Sequence, residues 1–121
     1  MDKTAIEEAL GTLDPWMLAI AMENGADPNS VISGTADRPL FAMLLAGRPD
    51  LARILLEYGA NPRASDKSGK LFAVDFARHR ARHSNDRKSA DAILSESVSL
   101  LSEYGADTQR DTPFWFLNVK I

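Results

Sequence analysis

Asp75, His79 and His83 fall at i, i+4 and i+8, so a continuous helix would carry them as one stripe. Two imidazoles one turn apart can grip zinc. Nothing nearby completes the ligand set, since the chain has no cysteine and no His-Glu-x-x-His pattern. No metal and no other cofactor is therefore expected. Around the stripe lie Arg78, Arg80, Arg82, Arg87 and Lys88, five of the chain's fourteen basic residues, with Asp86 the single acid between Arg78 and Lys88. Such a run can meet phosphates or an acidic protein surface, or simply form a solvated helix end. It has no interleaved aromatics to stack on bases, so it points to an acidic protein partner rather than to nucleic acid. Elsewhere there is no Ser-His-Asp order, no Gly-rich phosphate loop and no placed pair of carboxylates, and the chain reads as a non-enzymatic protein.

Composition sets the class of scaffold that must hold these groups. At 121 residues and 45% apolar content the chain can build one domain with one continuous core. Its net charge of −3 is too small to imply nucleic-acid binding by the whole molecule. No stretch approaches the roughly 18 apolar residues that span a bilayer. The N-terminus, with Glu7 and Glu8, lacks the basic then apolar order of a signal peptide. A cytoplasmic protein without a membrane partner is expected, and the lack of cysteine fits a reducing compartment.

The elements are written by a phrase that occurs three times: Asn24-Gly25-Ala26-Asp27, Tyr58-Gly59-Ala60-Asn61 and Tyr104-Gly105-Ala106-Asp107. Its glycines are separated by 34 residues (59 − 25) and then by 46 (105 − 59). A period near 33 marks a helical repeat array, and the longer spacing reads as one unit carrying about a dozen extra residues. Ala5, Ile6, Ala9 and Leu10 predict a short helix stopped by Gly11, and Asp14-Pro15 opens a second one through Trp16, Met17, Leu18, Ile20 and Met22. Residues 27–38 carry turn chemistry and read as an extended finger. Leu40 to Ala46 and then Leu51, Ile54, Leu55 and Tyr58 form the next pair of helices, and residues 62–70 a second finger. A helix from about Phe72 runs into the basic segment, Ser84-Asn85-Asp86 breaks it, and a further helix from Ser89 ends at Gly105. The extra residues thus sit between, or lengthen, the two helices of the third unit.

These residues resemble the ankyrin repeat family, whose units read roughly D-x-x-G-x-T-P-L-H-x-A and close on L-L-x-x-G-A-D-x-N. Pro39-Leu40-Phe41-Ala42 with Gly47, and Leu55-Leu56-Glu57-Tyr58-Gly59-Ala60-Asn61-Pro62, look like one whole unit; Asp66-Lys67-Ser68-Gly69-Lys70 and Ala73-Val74-Asp75-Phe76-Ala77-Arg78 look like the start of the next. The family's histidine is replaced by Phe41 or Asp75, and the threonine before Pro39 by Arg38. The resemblance implies an all-α ankyrin-repeat solenoid, a single domain over 1–121 with units about 1–26, 27–60 and 61–106. It also implies β-hairpin-like finger loops and a truncated C-terminal cap over 107–121. It further implies that a protein partner is held on the concave face. On that face the exposed finger positions would be Val31, Ile32, Ser33, Thr35, Arg63, Ser65, Lys67, Ser68 and Lys70, joined by Leu45, His79 and Arg80 from the helices.

Two regions are not required by the repeat. Arg82, Arg87 and Lys88 extend the candidate surface through the basic insertion. Phe114, Trp115, Phe116, Leu117, Val119 and Ile121 form an apolar tail, which covers the end of the stack or, through Trp115 and its neighbours, associates with a partner or a second copy. The expected function is protein–protein binding by a monomer or weak dimer. Its alternatives are a bacterial immunity or antitoxin-type protein that neutralises a toxin domain, and a homo-oligomeric scaffold joined through the tail.

Overall fold

A computed structural model describes residues 5–120; the start of the first unit and the Ile121 end of the tail lie outside the described residues. Seven helices occur among them: α1 (Ala5–Thr12), α2 (Pro15–Glu23), α3 (Pro39–Leu45), α4 (Pro49–Glu57), α5 (Ala73–Arg82), α6 (Arg87–Glu103) and α7 (Phe114–Leu117). Consecutive helices pair as α1 with α2, α3 with α4 and α5 with α6. The pairs stack in two layers: α1, α3, α5 and α7 touch in turn along one, and α2, α4 and α6 along the other. Between them runs one core, with Leu18, Leu40, Phe41, Leu44, Leu51, Leu55, Val74, Phe76, Leu101 and Phe116 buried.

The repeated phrase is a helix stop followed by a turn. At the end of α4, Gly59 takes φ 99°, which lets its N–H reach Leu56 O (3.1 Å) while the Ala60 N–H reaches Leu55 O (2.9 Å). That pair of bonds satisfies carbonyls a helix end leaves open. The same pair recurs at Gly25-Ala26 and Gly105-Ala106. Two residues after each glycine, the side-chain oxygens of Asp27, Asn61 and Asp107 accept the backbone N–H of Asn29, Arg63 and Gln109, at 2.8, 2.9 and 3.0 Å. Asp and Asn make this turn more strongly than Ser or Thr, which fits the fourth letter of the phrase.

Neighbouring units are then tied to one another. Asn29 donates to Gly59 O (3.0 Å) and accepts from the Asn61 N–H (2.7 Å), and Arg63, at the equivalent place one unit on, donates to Gly105 O (2.9 Å). The buried Asp37 carboxylate accepts the Lys67 N–H (3.0 Å), joining the two fingers, and Arg48 donates to Leu13 O (3.1 Å), joining the opposite turns.

Two expectations change and a third is narrowed. The fingers are not paired ribbons: the described residues contain no strand, only one antiparallel bridge between Ser65 and Phe72. Each finger is a tight loop closed by one equivalent bond, Ile32 N–H to Asp37 O and Asp66 N–H to Leu71 O, both 2.9 Å. Gly11 does not stop α1, which continues to Thr12, because Leu13 makes the turn at φ 51° in the place that Gly47 fills one unit later. The insertion lengthens mainly the second helix of its unit: α6 has 17 residues against 9 in α4, and starts at Arg87 because Asp86 caps it, accepting the Ser89 N–H. On α2 only Leu18 and Met22 are buried; Trp16, Met17 and Ile20 are exposed, because no helix among the described residues lies beyond α2 to cover them.

A left-handed conformation costs a side chain about 1–2 kcal/mol. Leu13→Gly should therefore raise stability by up to about 1 kcal/mol in chemical denaturation, the more flexible unfolded chain taking back part of the gain. Gly59→Ala, where a new Cβ meets nothing, should cost about 1 kcal/mol. Gly47→Ala, at φ 72°, should cost about 1–2 kcal/mol and push aside the Arg80 guanidinium, whose Nε would lie 2.3 Å from the new Cβ.

Candidate binding surface and the cap beside it

The residues of the His/Asp stripe do lie on one helix, α5, but each faces a piece of the C-terminal segment. Asp75 is completely buried. One of its oxygens accepts the Phe72 N–H (2.8 Å), closing the start of α5. The carboxylate also accepts the Thr112 hydroxyl and pairs with Arg110 at 3.2 Å. Arg110 in turn lies 4.4 Å over the Phe72 ring and donates to Lys70 O (3.0 Å). One turn along, Arg78 donates to the carbonyls of Thr108 (2.9 Å) and Arg110 and to the Thr112 hydroxyl (3.0 Å). A carboxylate and a guanidinium on one helix face thus hold the whole 108–112 loop.

The two histidines finish the job. Nε2 of His79 bonds Val119 O and Nε2 of His83 bonds Leu117 O, both at 2.7 Å, and the rings stack with centroids 4.2 Å apart. A carbonyl only accepts, so Nε2 is the protonated nitrogen of each ring. Arg82 donates to Asn118 Oδ1 (2.9 Å). These bonds seat α7 so that Phe116 enters the core, edge-on to Phe76 (5.2 Å), which stacks on Phe41 (4.6 Å). Among the described residues no group of three or more His, Asp or Glu is placed to share a metal ion. Burial, assisted by the neighbouring His83 and opposed by the bond to Val119 O, holds the His79 pKa below its ordinary 6.5.

The structure divides the candidate surface into two groups and removes several members. Ile32 is not an exposed fingertip position; it is 8% exposed and belongs to the core, because its N–H closes the finger and turns the side chain inward. His79 is likewise buried, at 4% exposure, against Phe116. Arg63 is exposed but spends its Nε on Gly105 O, and Ser65 is half-buried beside its bridge to Phe72. Val31, Ser33, Thr35, Lys67, Ser68 and Lys70 remain as exposed fingertip residues. Leu45, Arg80, Arg82, Arg87 and Lys88 sit at the opposite end of the first-layer helices, about 15 Å away along the ten-residue α5. There Leu45 and Arg80 are half-buried, while Arg82, Arg87 and Lys88 are exposed. Arg87 pairs with Asp91 within α6 at 3.6 Å. Trp115 is 57% exposed on the outside of the cap, next to Phe114.

Sequence reading missed Asp37 and the Asp75–Thr112–Arg110 cluster. The second had a visible signal: Thr112-Pro113 stands where a first helix begins, and an Asp at the third position of α5 is the residue that could reach it.

Removing the Asp75 carboxylate strands a hydroxyl, a backbone N–H and a partly exposed guanidinium. Asp75→Ala should lower stability by about 2–4 kcal/mol in urea titrations, and Asp75→Asn by less than half of that, since the amide oxygen still accepts. A histidine whose folded pKa is depressed contributes fully above its unfolded value and loses that contribution as pH falls through the folded one. Stability should therefore drop as pH falls below about 6.5, and the drop should be shallower in His79→Gln, which can still donate to Val119 O.

No family model matches the sequence. The neurogenic locus notch homolog protein 4 of Homo sapiens is 39% identical over 61 residues, 50% of this chain and 3% of that protein. The E3 ubiquitin-protein ligase hecd-1 of Caenorhabditis elegans is 35% identical over 91 residues, 75% of this chain and 3% of that protein. The chain thus spans about 3% of the length of these curated relatives, each of which resembles it through one short region.

Proposed function

We propose that the chain is an ankyrin-type solenoid that acts as a non-enzymatic binding module, holding a protein partner on its fingertips and first-layer helices. One observation carries the reading: the same glycine stop, Asx turn and cross-unit tie recur in successive helix pairs, while the Val31, Ser33, Thr35, Lys67 and Lys70 side chains at the fingertips between them are exposed. A surface built on repeated ties is rigid, and a rigid surface loses little freedom when it binds. Val31 and the Lys67-Ser68 tip offer one apolar and one basic contact, and the basic far end of α5 extends the same layer. The toxin-neutralising version of this function has no observation of its own in the fold or the relatives.

A second reading, self-association through the tail, is favoured by Phe114 and Trp115, which are 72% and 57% exposed beside the fully seated Phe116. Large exposed apolar patches mark interfaces. The two readings separate cleanly. Affinity purification from source cells should yield a stoichiometric protein partner with the full chain and lose it with Val31→Glu/Lys67→Glu, while melting of the variant is unchanged. Retention of that partner by the variant would place binding elsewhere. Light scattering of Trp115→Ser should match the full chain if the tail only caps, and show a smaller mass if it joins copies.

A further inference from the structure

We propose that the cleft at the far end of α5 is a carboxylate-binding site that receives one Asp or Glu side chain of the protein partner; this rests on the reading of the chain as a protein-binding module. The cleft, about 280 Å³, is lined by Leu45, His79, Arg80, His83 and Ser84 and contains no acidic residue. Arg80 lies across the buried Gly47, at the turn that ends α3, its guanidinium occupying the space a Cβ there would take. It forms no ion pair among the described residues, and its Nη1 is buried with no hydrogen-bond partner. His79 Nδ1 is also buried and unpartnered, on a side chain only 4% exposed.

Arg80 Nη1 and His79 Nδ1 are closed off from solvent, so an incoming group meets the remaining nitrogens of the half-buried guanidinium, and the only group that suits them is an acceptor. The fixed fork of N–H donors matches a carboxylate. Its full positive charge outweighs the roughly half negative charge of the α5 carboxyl end. A phosphate dianion calls for more cations than one, and the neighbouring Arg78 and Arg82 are already committed to the tail. By contrast, the larger cleft of about 350 Å³ beside Phe72 has both its guanidiniums, Arg63 and Arg110, engaged. An anion in the α5 cleft also favours the charged form of His79 through its nearby charge, the ring taking its second proton on Nδ1 while Nε2 keeps Val119 O. The titratable and charged groups that line this cleft beside His79 are Arg80 and His83, the His83 and Phe116 rings pack on the His79 ring, and no carboxylate is among the lining residues.

Side-chain NMR of the full chain, titrated with sodium acetate against sodium chloride at matched ionic strength, tests the site. Acetate should give saturable shifts confined to the Arg80 Nε–H and the His79 and His83 rings, and should move the His79 titration to higher pH. Inorganic phosphate should bind more weakly than acetate. Arg80→Gln should weaken the acetate response at least about tenfold, equivalent to about 1.4 kcal/mol. Ser84→Asp, which leaves Arg80 seated on Gly47 and supplies a carboxylate from the rim, should suppress it to the same degree. The proposal is overturned if acetate behaves as chloride does, if phosphate binds more tightly, or if Ser84→Asp keeps the full response. Loss of the cleft would leave the fingertip reading intact, since that stands or falls on the Val31→Glu/Lys67→Glu purification.

Discussion

A helix pair in a two-layer stack can bury its apolar face only against the next pair, so everything in this molecule depends on how the stack is closed beyond α5. The answer is Phe116. It completes a column of aromatic rings, Phe41, Phe76 and Phe116, that runs through the first layer, and it is 1% exposed although it sits four residues from the last described one. A single helical turn has almost no stability of its own. It is held from α5 instead, by Asp75 and Arg78 through the 108–112 loop and by His79, Arg82 and His83 through residues 117–119. The opposite end has no such lid among the described residues, and Trp16, Met17 and Ile20 lie open there.

This closure changes the meaning of the basic segment. Read along the chain, Arg78 to Lys88 is one charge run; in three dimensions it is sorted by helix face. Arg78 and Arg82 serve the tail, Arg80 lies on Gly47, and Arg87 and Lys88 belong to the first turn of α6. Charge that would repel if left together is spread over separate partners, and among the described residues the one guanidinium left without an acceptor is Arg80. At the fingers, Asn29, Asp37 and Arg63 make the ties between units, while Val31, Lys67 and Ser68 stand exposed.

Much of the fold was legible because its signals are local. Gly59-Ala60-Asn61 can be read as a helix stop and a turn from φ preference and side-chain reach alone, and the helices of the second unit follow from the spacing of Leu51, Ile54 and Leu55. What was not legible depends on neighbours. The apolar Trp16, Met17 and Ile20 look like core residues until it is known that nothing packs beyond α2. Ile32 and Val31 are adjacent and chemically alike, and only the Ile32–Asp37 bond decides which one turns inward. Leu13 in a left-handed turn contradicts residue preference outright, the surrounding packing outweighing a local cost. Asp75, His79 and His83 were visible as a stripe, yet their partners lie more than 30 residues away and leave no periodic trace.

Whether the tail is a structural lid anchored by Phe116 is decided by urea unfolding of Phe116→Ala, measured alongside light scattering. A lid should lose about 3–5 kcal/mol in that variant, a large share of the roughly 5–15 kcal/mol that holds a domain together, with no change in association state. Unaltered stability together with a fall in mass would contradict it and make the tail an interface.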